Sequence, residues 1–341
     1  MNLVLTLAIP CRADEPGLAG TLDSLWEACQ HPDLRMGLPI ELVICLNGVT
    51  RGQHCAPLTM VRDFCARHGI AMEEVWENEG DQKEAWPACC SPSLPGEEKT
   101  DAEAAGAALR RCRVLLTEQV GKPRAWNRLW RRAAGELVIF CDADVRVAAD
   151  AVCHLLSRLR REPHLRLIAA REVPVLPPGA TLWSRMGAIP YRFNFGNAGG
   201  RLYLIRKNAF AGEMPEDLLL EDAWLTVAVG KRWVVKEWHA RVFFLLPTTW
   251  RDYFAERVRT EGGKLQIRRV HAALLVDGPI AQYQWRHFWQ GIAVGEYPLV
   301  LLALGVRVLA RVVAWIALLR KDFYALYRPF ASTKGWTAAE R

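Results

Sequence analysis

Along the first half of this chain, short unbroken apolar runs alternate with stretches in which apolar residues return every three or four positions. The five residues after Gly135-Glu136, ending just before Asp142, are the clearest of the first kind, and residues 3–10, 41–46, 71–76 and 113–118 read as four strands ahead of them. Such runs, bounded by turn signals, predict strands buried on both faces. Residues 17–29 are of the second kind, with Leu18, Leu22, Leu25 and Trp26 on one helical face. Pro57 opens another helix carrying Leu58, Val61, Phe64 and Cys65. Gly121-Lys122-Pro123 opens a third, with Trp126, Leu129, Trp130 and Ala133 on one face and Arg128, Arg131 and Arg132 on another, and Gly135 stops it. The alternation predicts an α/β fold, a mostly parallel central sheet flanked by helices. It continues with a helix over 148–161, strands over 165–171 and 201–206, a helix over 220–229 and strand-like runs at 233–238 and 241–246. Residues 77–112, acidic and Pro-bearing, interrupt it and predict an inserted surface loop.

Half of the 341 residues are hydrophobic, enough for a large core. The net charge of +7 is spread over scattered Arg pairs, with no long basic run, so no nucleic-acid partner is expected. Anionic lipid heads or phosphorylated substrates suit that balance better. The ten cysteines are irregularly spaced and include no C-x-x-C, which predicts reduced thiols in a cytosolic setting. The N-terminus lacks a basic start, so no signal peptide is expected.

The fifth apolar run ends in Asp142-Ala143-Asp144. In open α/β sheets ligands bind beyond the carboxyl ends of the strands. Two carboxylates there can hold a hard divalent ion together with substrate phosphates, and an acidic turn is the alternative. Glu221-Asp222, at a helix start, form a second acidic pair, which a favourable helix dipole would also explain.

The order and spacing of several motifs resemble the core of the family 2 glycosyltransferases, of the A-type fold with its Rossmann-like sheet. These are Ile9-Pro10-x-x-x-Asp14-Glu15, Asn47-Gly48-x-Thr50, Gly121-Lys122-x-x-Ala125-x-Asn127, Gly135 to Asp144, Gly199-Gly200 and Glu221-Asp222, over roughly residues 1 to 260. The resemblance implies transfer of a sugar from a nucleotide-diphosphate sugar, with a UDP-sugar the expected donor, to a hydroxyl of a glycan or lipid-linked acceptor. It implies Asp144 as principal ligand of Mg2+ or Mn2+, with Asp142 helping the metal or meeting the ribose. Pro10, Glu15, Asn47, Lys122 and Asn127 would form the rest of the nucleotide-sugar site. Gly199 and Gly200 would admit the acceptor, and Glu221 and Asp222 would be catalytic, with Asp222 as general base in an inverting displacement. Departures are Ala13 where Asn is frequent and Asn47 where Asp is frequent. Glu256-Arg257-Val258-Arg259-Thr260 echoes the signature of processive synthases without its Trp, so single-sugar transfer is expected. An Asp-x-Asp phosphatase and a non-catalytic nucleotide-sugar scaffold are the alternatives.

The expected domains are a catalytic unit at 1–265 and a helical, membrane-associating region at 266–341. Residues 298–319 hold thirteen Leu, Ile or Val and two arginines, Arg307 and Arg311, four apart on one helical face. Thirteen apolar residues favour insertion by about 6 kcal/mol, and two central arginines cost about 3 kcal/mol each. That near-cancellation predicts an amphipathic helix lying in the interface, with Trp285, Phe288, Trp289 and Trp315 at headgroup level and Arg320-Lys321 beside anionic lipid. The cytoplasmic face of the plasma membrane is the expected location.

Overall fold

A computed structural model describes residues 4–35, 38–77, 109–193, 198–277 and 291–319. Nine strands form one sheet in the order β3-β4-β2-β1-β5-β8-β7-β9-β6. On one side β1 (Leu5–Arg12), β2 (Ile40–Asn47), β3 (Ala71–Trp76), β4 (Leu109–Thr117) and β5 (Leu137–Cys141) pair in parallel. Their central members, β1, β2 and β5, are buried along almost their whole length, as two-sided burial requires of apolar runs. Beyond β5 the direction reverses. Strand β8 (Leu202–Arg206) is antiparallel to both β5 and β7 (Leu167–Val175). Strand β9 (Val234–Leu245) runs parallel to β7 and carries the two-residue β6 (Arg146–Val147) antiparallel on its far edge. The two strand-like runs at 233–238 and 241–246 are therefore one strand, with a register shift between Ala170 and Arg171 of its neighbour β7.

Helices α1 (Leu18–Cys29), the short α2 (Pro32–Arg35), α3 (Ala56–His68), α4 (Lys122–Arg132), α5 (Ala151–Arg161), α6 (Leu182–Ala188), α7 (Glu221–Val229) and α8 (Trp250–Val270) are followed by α9 (Tyr297–Leu319). Helix α4 is pinned to the sheet by its aromatic face. Trp126 and Trp130 stack on Phe140 of β5 and on Phe210, and the Trp126 indole N–H donates to the Tyr203 hydroxyl at 2.7 Å. Aromatic packing and a satisfied indole thus lock the helix whose first residue is Lys122. Arg128 lies on the buried side, not the outer one, with its guanidinium on Gln119 at 2.6 Å.

Three expectations need correction. The boundary at 265/266 falls inside α8, which continues to Val270 without a break. The insertion expected over 77–112 ends before Leu109, where β4 begins, and residues 78–108 lie outside the described residues. Arg307 and Arg311 do not stand as unpaired charges on α9, although only Arg307 is half-buried and Arg311 is exposed. Both reach back to Glu261 of α8, at 2.8 and 3.3 Å. Trp285, Phe288, Trp289, Arg320 and Lys321 lie outside the described residues. Eight cysteines lie within them, all as free thiols and seven of them buried.

Candidate active site

The carboxyl ends of β1, β2 and β5 open onto a cavity of about 640 Å³. Pro10, Glu15, Asn47, Lys122, Asp142 and Asp144 all line it. Its floor is well held. Asn47 donates to the Cys11 carbonyl at 2.7 Å, tying the ends of β1 and β2 together. Glu15, buried, accepts the Gly17 N–H at 3.0 Å. Gly17 keeps that corner open: a Cβ would stand 3.1 Å from both the Asp144 Cα and the Glu15 carboxylate, close enough that a neighbour would have to shift. The Thr21 hydroxyl donates to the carbonyls of Ala143 and Val145 on either side of Asp144, which fixes that turn.

A second cavity of about 310 Å³ adjoins the first. Gly200, Glu221 and Asp222 line it, and Lys122, Asp142 and Arg201 line both. Asp144 therefore sits on one side of a shared wall and Asp222 on the other. The backbone explains the wall. The Asp142 N–H donates to the Arg201 carbonyl at 2.8 Å, so the turn after β5 is laced to the start of β8. Gly199 and Gly200 have no left-handed backbone, and their role is close approach. A Cβ on Gly200 would lie 3.1 Å from that of Asp222, and one on Gly199 would lie 2.7 Å from the Glu172 carboxylate.

Lys122, half-buried at the start of α4, is engaged by two carboxylates. Its ammonium bridges Asp142 at 2.7 Å and Glu221 at 2.5 Å. Burial opposes its charge, but the two carboxylates outweigh burial and hold its pKa well above the usual value. Burial likewise pushes up the pKa of Glu221, yet Lys122 overcomes it and the net direction is down. The neighbouring Asp222 has no such partner ammonium at bonding distance among the described residues. Burial first, then the charges of Glu221 and Glu172, raise its pKa to about 7. Asp142, raised by burial despite Lys122, with Asp144 and Glu221 adding to the rise, stands at about 6. One acidic pair is thus split into a Glu221 whose charged form Lys122 favours and an Asp222 raised to about 7, the pattern by which environment separates roles.

Asn127 needs correction. Its side chain is buried outside both cavities, donating to the Met214 carbonyl at 2.8 Å and accepting the Met214 N–H at 2.9 Å. It brackets the segment leading to Glu221 and touches no cavity. His239 stands near His154, 5.6 Å between ring centroids, and lines neither cavity. Four residues that pattern reasoning passed over belong to the site. Arg201 donates to Glu172 at 2.7 Å, lies 3.6 Å over the Phe244 ring and faces both cavities. Glu172 also lies 3.8 Å from Lys236. Tyr191 lines the second cavity beneath Arg201. Arg201 directly follows the glycine pair, and that adjacency was the available signal. Arg257 and Arg259 are half-buried and line the second cavity, so they are not outward helix arginines.

No carboxylates or imidazoles other than the two Asp of the β5 turn are needed to fit a hard ion here. Asp142 and Asp144 offer anionic oxygens at the edge of a cavity roomy enough for phosphate, the donor set that Mg2+ or Mn2+ takes with substrate oxygens and water. Lys122 already neutralises part of Asp142, which leaves Asp144 as the stronger donor.

Residues 97–208, about a third of the chain, match the family model Glycosyl transferase family 2. A sequence comparison with curated proteins finds no match. Among solved structures, the chain resembles the mannosyltransferase PcManGT from Pyrobaculum calidifontis in complex with GDP-Man and Mn2+. Identity is 18%, the TM-score 0.50, and coverage 96% of this chain and 81% of that one. It also matches S. aureus TarS 1-349 in complex with UDP-GlcNAc, at 15% identity and TM-score 0.44 over 94% and 89% of the two chains. A third match is glucosyl-3-phosphoglycerate synthase from Mycobacterium tuberculosis, at 14% identity and TM-score 0.38 over 69% and 70%. The first of these likenesses speaks for the fold, which is the A-type glycosyltransferase sheet with its reversal after β5. The family match runs from ahead of β4 through the Asp142–Asp144 turn to the end of β8, and over that third of the chain the sequence is similar to the family 2 glycosyltransferases.

Proposed function

We propose that the enzyme transfers one sugar from a nucleotide-diphosphate sugar, in the first cavity, to an acceptor hydroxyl presented in the second. The observation that carries this reading is the shared wall: Lys122, Asp142 and Arg201 face both spaces, with Asp144 on one side and Asp222 on the other. Pro10, Glu15 and Asn47 are the nucleoside end of the donor site. Asp144, with Asp142, would hold Mg2+ or Mn2+, which supplies Lewis-acid stabilisation of the leaving diphosphate when bound. PcManGT with GDP-Man and Mn2+ supports that assignment by fold. Lys122 and Arg201 place two fixed cations where diphosphate charge develops, in a site where preorganised charge counts most.

Asp222 takes the proton of the acceptor hydroxyl as its oxygen bonds to the anomeric carbon. The bond from that carbon to the diphosphate oxygen breaks, and its electron pair leaves with the nucleoside diphosphate. Base and leaving group on opposite sides of the wall favour a single displacement with inversion. Glu221, held charged by Lys122, is a positioning residue and not the base. The apolar outer side of α9 supports attachment to a membrane, at the cytoplasmic face.

Calorimetry with UDP, GDP, dTDP and CMP, with and without Mn2+, tests the donor site. One nucleotide should bind in a metal-dependent way, and Asp144→Ala should weaken it at least tenfold, about 1.4 kcal/mol. Well-folded protein that binds none of the four would sink the transferase reading.

A further inference from the structure

Away from both cavities, three side chains of metal-ligating type meet where α1 passes α5. They are His31, Asp33 and Cys153, and one ligand atom of each lies within 4.8 Å of the others. None of the three lines either cavity. The chain delivers them from two places. His31 comes just after the last turn of α1, and its carbonyl accepts the Leu34 N–H at 2.9 Å, closing the turn that carries both His31 and Asp33. Leu34 is buried and anchors this corner in the core. Cys153 stands in the first turn of α5, between the buried Val152 and the half-buried His154.

The distances suit a tetrahedral ion. Bonds of about 2.3 Å to sulfur and about 2.0–2.2 Å to nitrogen and oxygen set neighbouring ligand atoms roughly 3.3–3.7 Å apart. The Cys153 Sγ lies 3.5 Å from the Asp33 Oδ2, and the His31 Nδ1 lies 3.8 Å from that same oxygen. The Asp33 N–H faces Nδ1 at 3.4 Å, a long contact that a bond to metal would replace. The site is also open to solvent. Seven of the eight described cysteines are buried, and Cys153 is the exception. The His31 side chain is 29% exposed and that of Asp33 69%, so an ion reaches them without opening the core.

We propose that His31, Asp33 and Cys153 form a Zn2+ site, separate from the Asp142–Asp144 edge, that clips the α1–α2 corner to α5. The thiol gives its proton to water as the Zn–S bond forms, and thiolate and carboxylate then balance the two charges of the ion. Water takes the fourth position on the solvent side. Thiolate and imidazole select Zn2+ over Mg2+ and Mn2+, which suit the oxygen donors of Asp142 and Asp144. Asp33 and Cys153 are 120 positions apart, so the clip closes a long loop and restricts the unfolded chain. Its effect is on stability, through binding to the folded state alone.

The test is calorimetry and thermal unfolding of the full chain with Zn2+ in excess Mg2+. Wild type should bind one Zn2+ more per chain than Cys153→Ser, and Zn2+ should raise the Tm of wild type more than that of the variant. His31→Ala should weaken this site about tenfold or more, and it covers the case in which Cys153→Ser misfolds. With a chelator present, both variants should melt with the wild type, so that a lost site is not a lost fold. Co2+ in place of Zn2+ should give thiolate-to-metal charge-transfer absorption that disappears in Cys153→Ser. No Zn2+ binding by folded wild type would overturn the proposal. So would binding and charge transfer that survive both substitutions, which would assign the metal to other ligands.

Discussion

Asp222 and Glu221 are neighbours in the chain, yet their surroundings drive their protons in opposite directions. Lys122 holds Glu221 charged, while burial and the charges of Glu221 and Glu172 lift Asp222 to about 7. A general base must be deprotonated to work, so turnover should climb as pH rises through about 7 and level off above it. A rate profile between pH 5.5 and 9 at saturating donor checks this; a flat profile would remove Asp222 from the role. The same shift has a cost. A carboxyl whose folded pKa is raised binds its proton more tightly when folded, so the folded state loses stability as pH climbs from the unfolded pKa through about 7. Asp222→Asn should therefore lower kcat by about a thousandfold or more and, at pH 8, raise Tm by ~2–4 °C. Gly200 is the steric partner of that carboxylate. Gly200→Ala, with its Cβ 3.1 Å from that of Asp222, should lower kcat about tenfold or more through displacement of the base and leave nucleotide affinity unchanged. At this scale the sequence pointed to Asp142, Asp144 and Asp222 because acidic pairs at strand and helix ends are local patterns. It misplaced Asn127, whose motif position is right but whose amide is consumed by Met214, a residue 87 positions away.

Among the elements, α8 does what no periodicity announced. Gly263 permits contact so close that a Cβ there would collide with Leu220, the residue before Glu221. Gln266 accepts the Leu219 N–H at 3.0 Å and donates to the Asp217 carbonyl at 2.9 Å. Helix α8 therefore sets the start of α7, where both acids sit, and through Glu261 it also sets α9. Burial works against the charge of Glu261, but Lys264 and Arg307 outweigh it and lower its pKa below the usual 4.5. A lowered carboxyl contributes stability above its unfolded pKa and loses it as pH falls through the folded value. Glu261→Ala should leave three cations without their shared anion and cost about 3–5 kcal/mol. A lower Tm, together with faster hydrogen exchange in α9, is the expected readout; unchanged exchange would show that α9 is held by apolar packing alone. Along the sequence Arg307 and Arg311 carry their full insertion cost, because Glu261, a helix away, is not among their chain neighbours. Both arginines are paired with that carboxylate, Arg307 half-buried and Arg311 still exposed, and the side of α9 away from α8 carries Leu301, Val308, Leu309 and Val312.

For the whole molecule, the outward side of α9 bears on the proposed attachment to a membrane. Leu301, Leu309, Val312 and Trp315 are each at least half exposed on one helix, an apolar patch of the kind that marks a membrane or partner site. Replacing Leu301, Leu309 and Val312 together with Ser should shift the protein from the membrane pellet to the supernatant and leave Tm nearly unchanged. Undiminished sedimentation would assign attachment to another segment. The sequence by itself determined the α/β class, the parallel half of the sheet, the Asp142–Asp144 edge and the helix that begins at Glu221, because each is written in residues close together in the chain. Tertiary structure alone decided the reversal after β5, the sharing of Lys122 between two acids, the place of Arg201 in the wall and the pairing of the α9 arginines with Glu261. These depend on partners tens of residues apart, and a pattern read along the chain holds no information about which distant charge a side chain will meet.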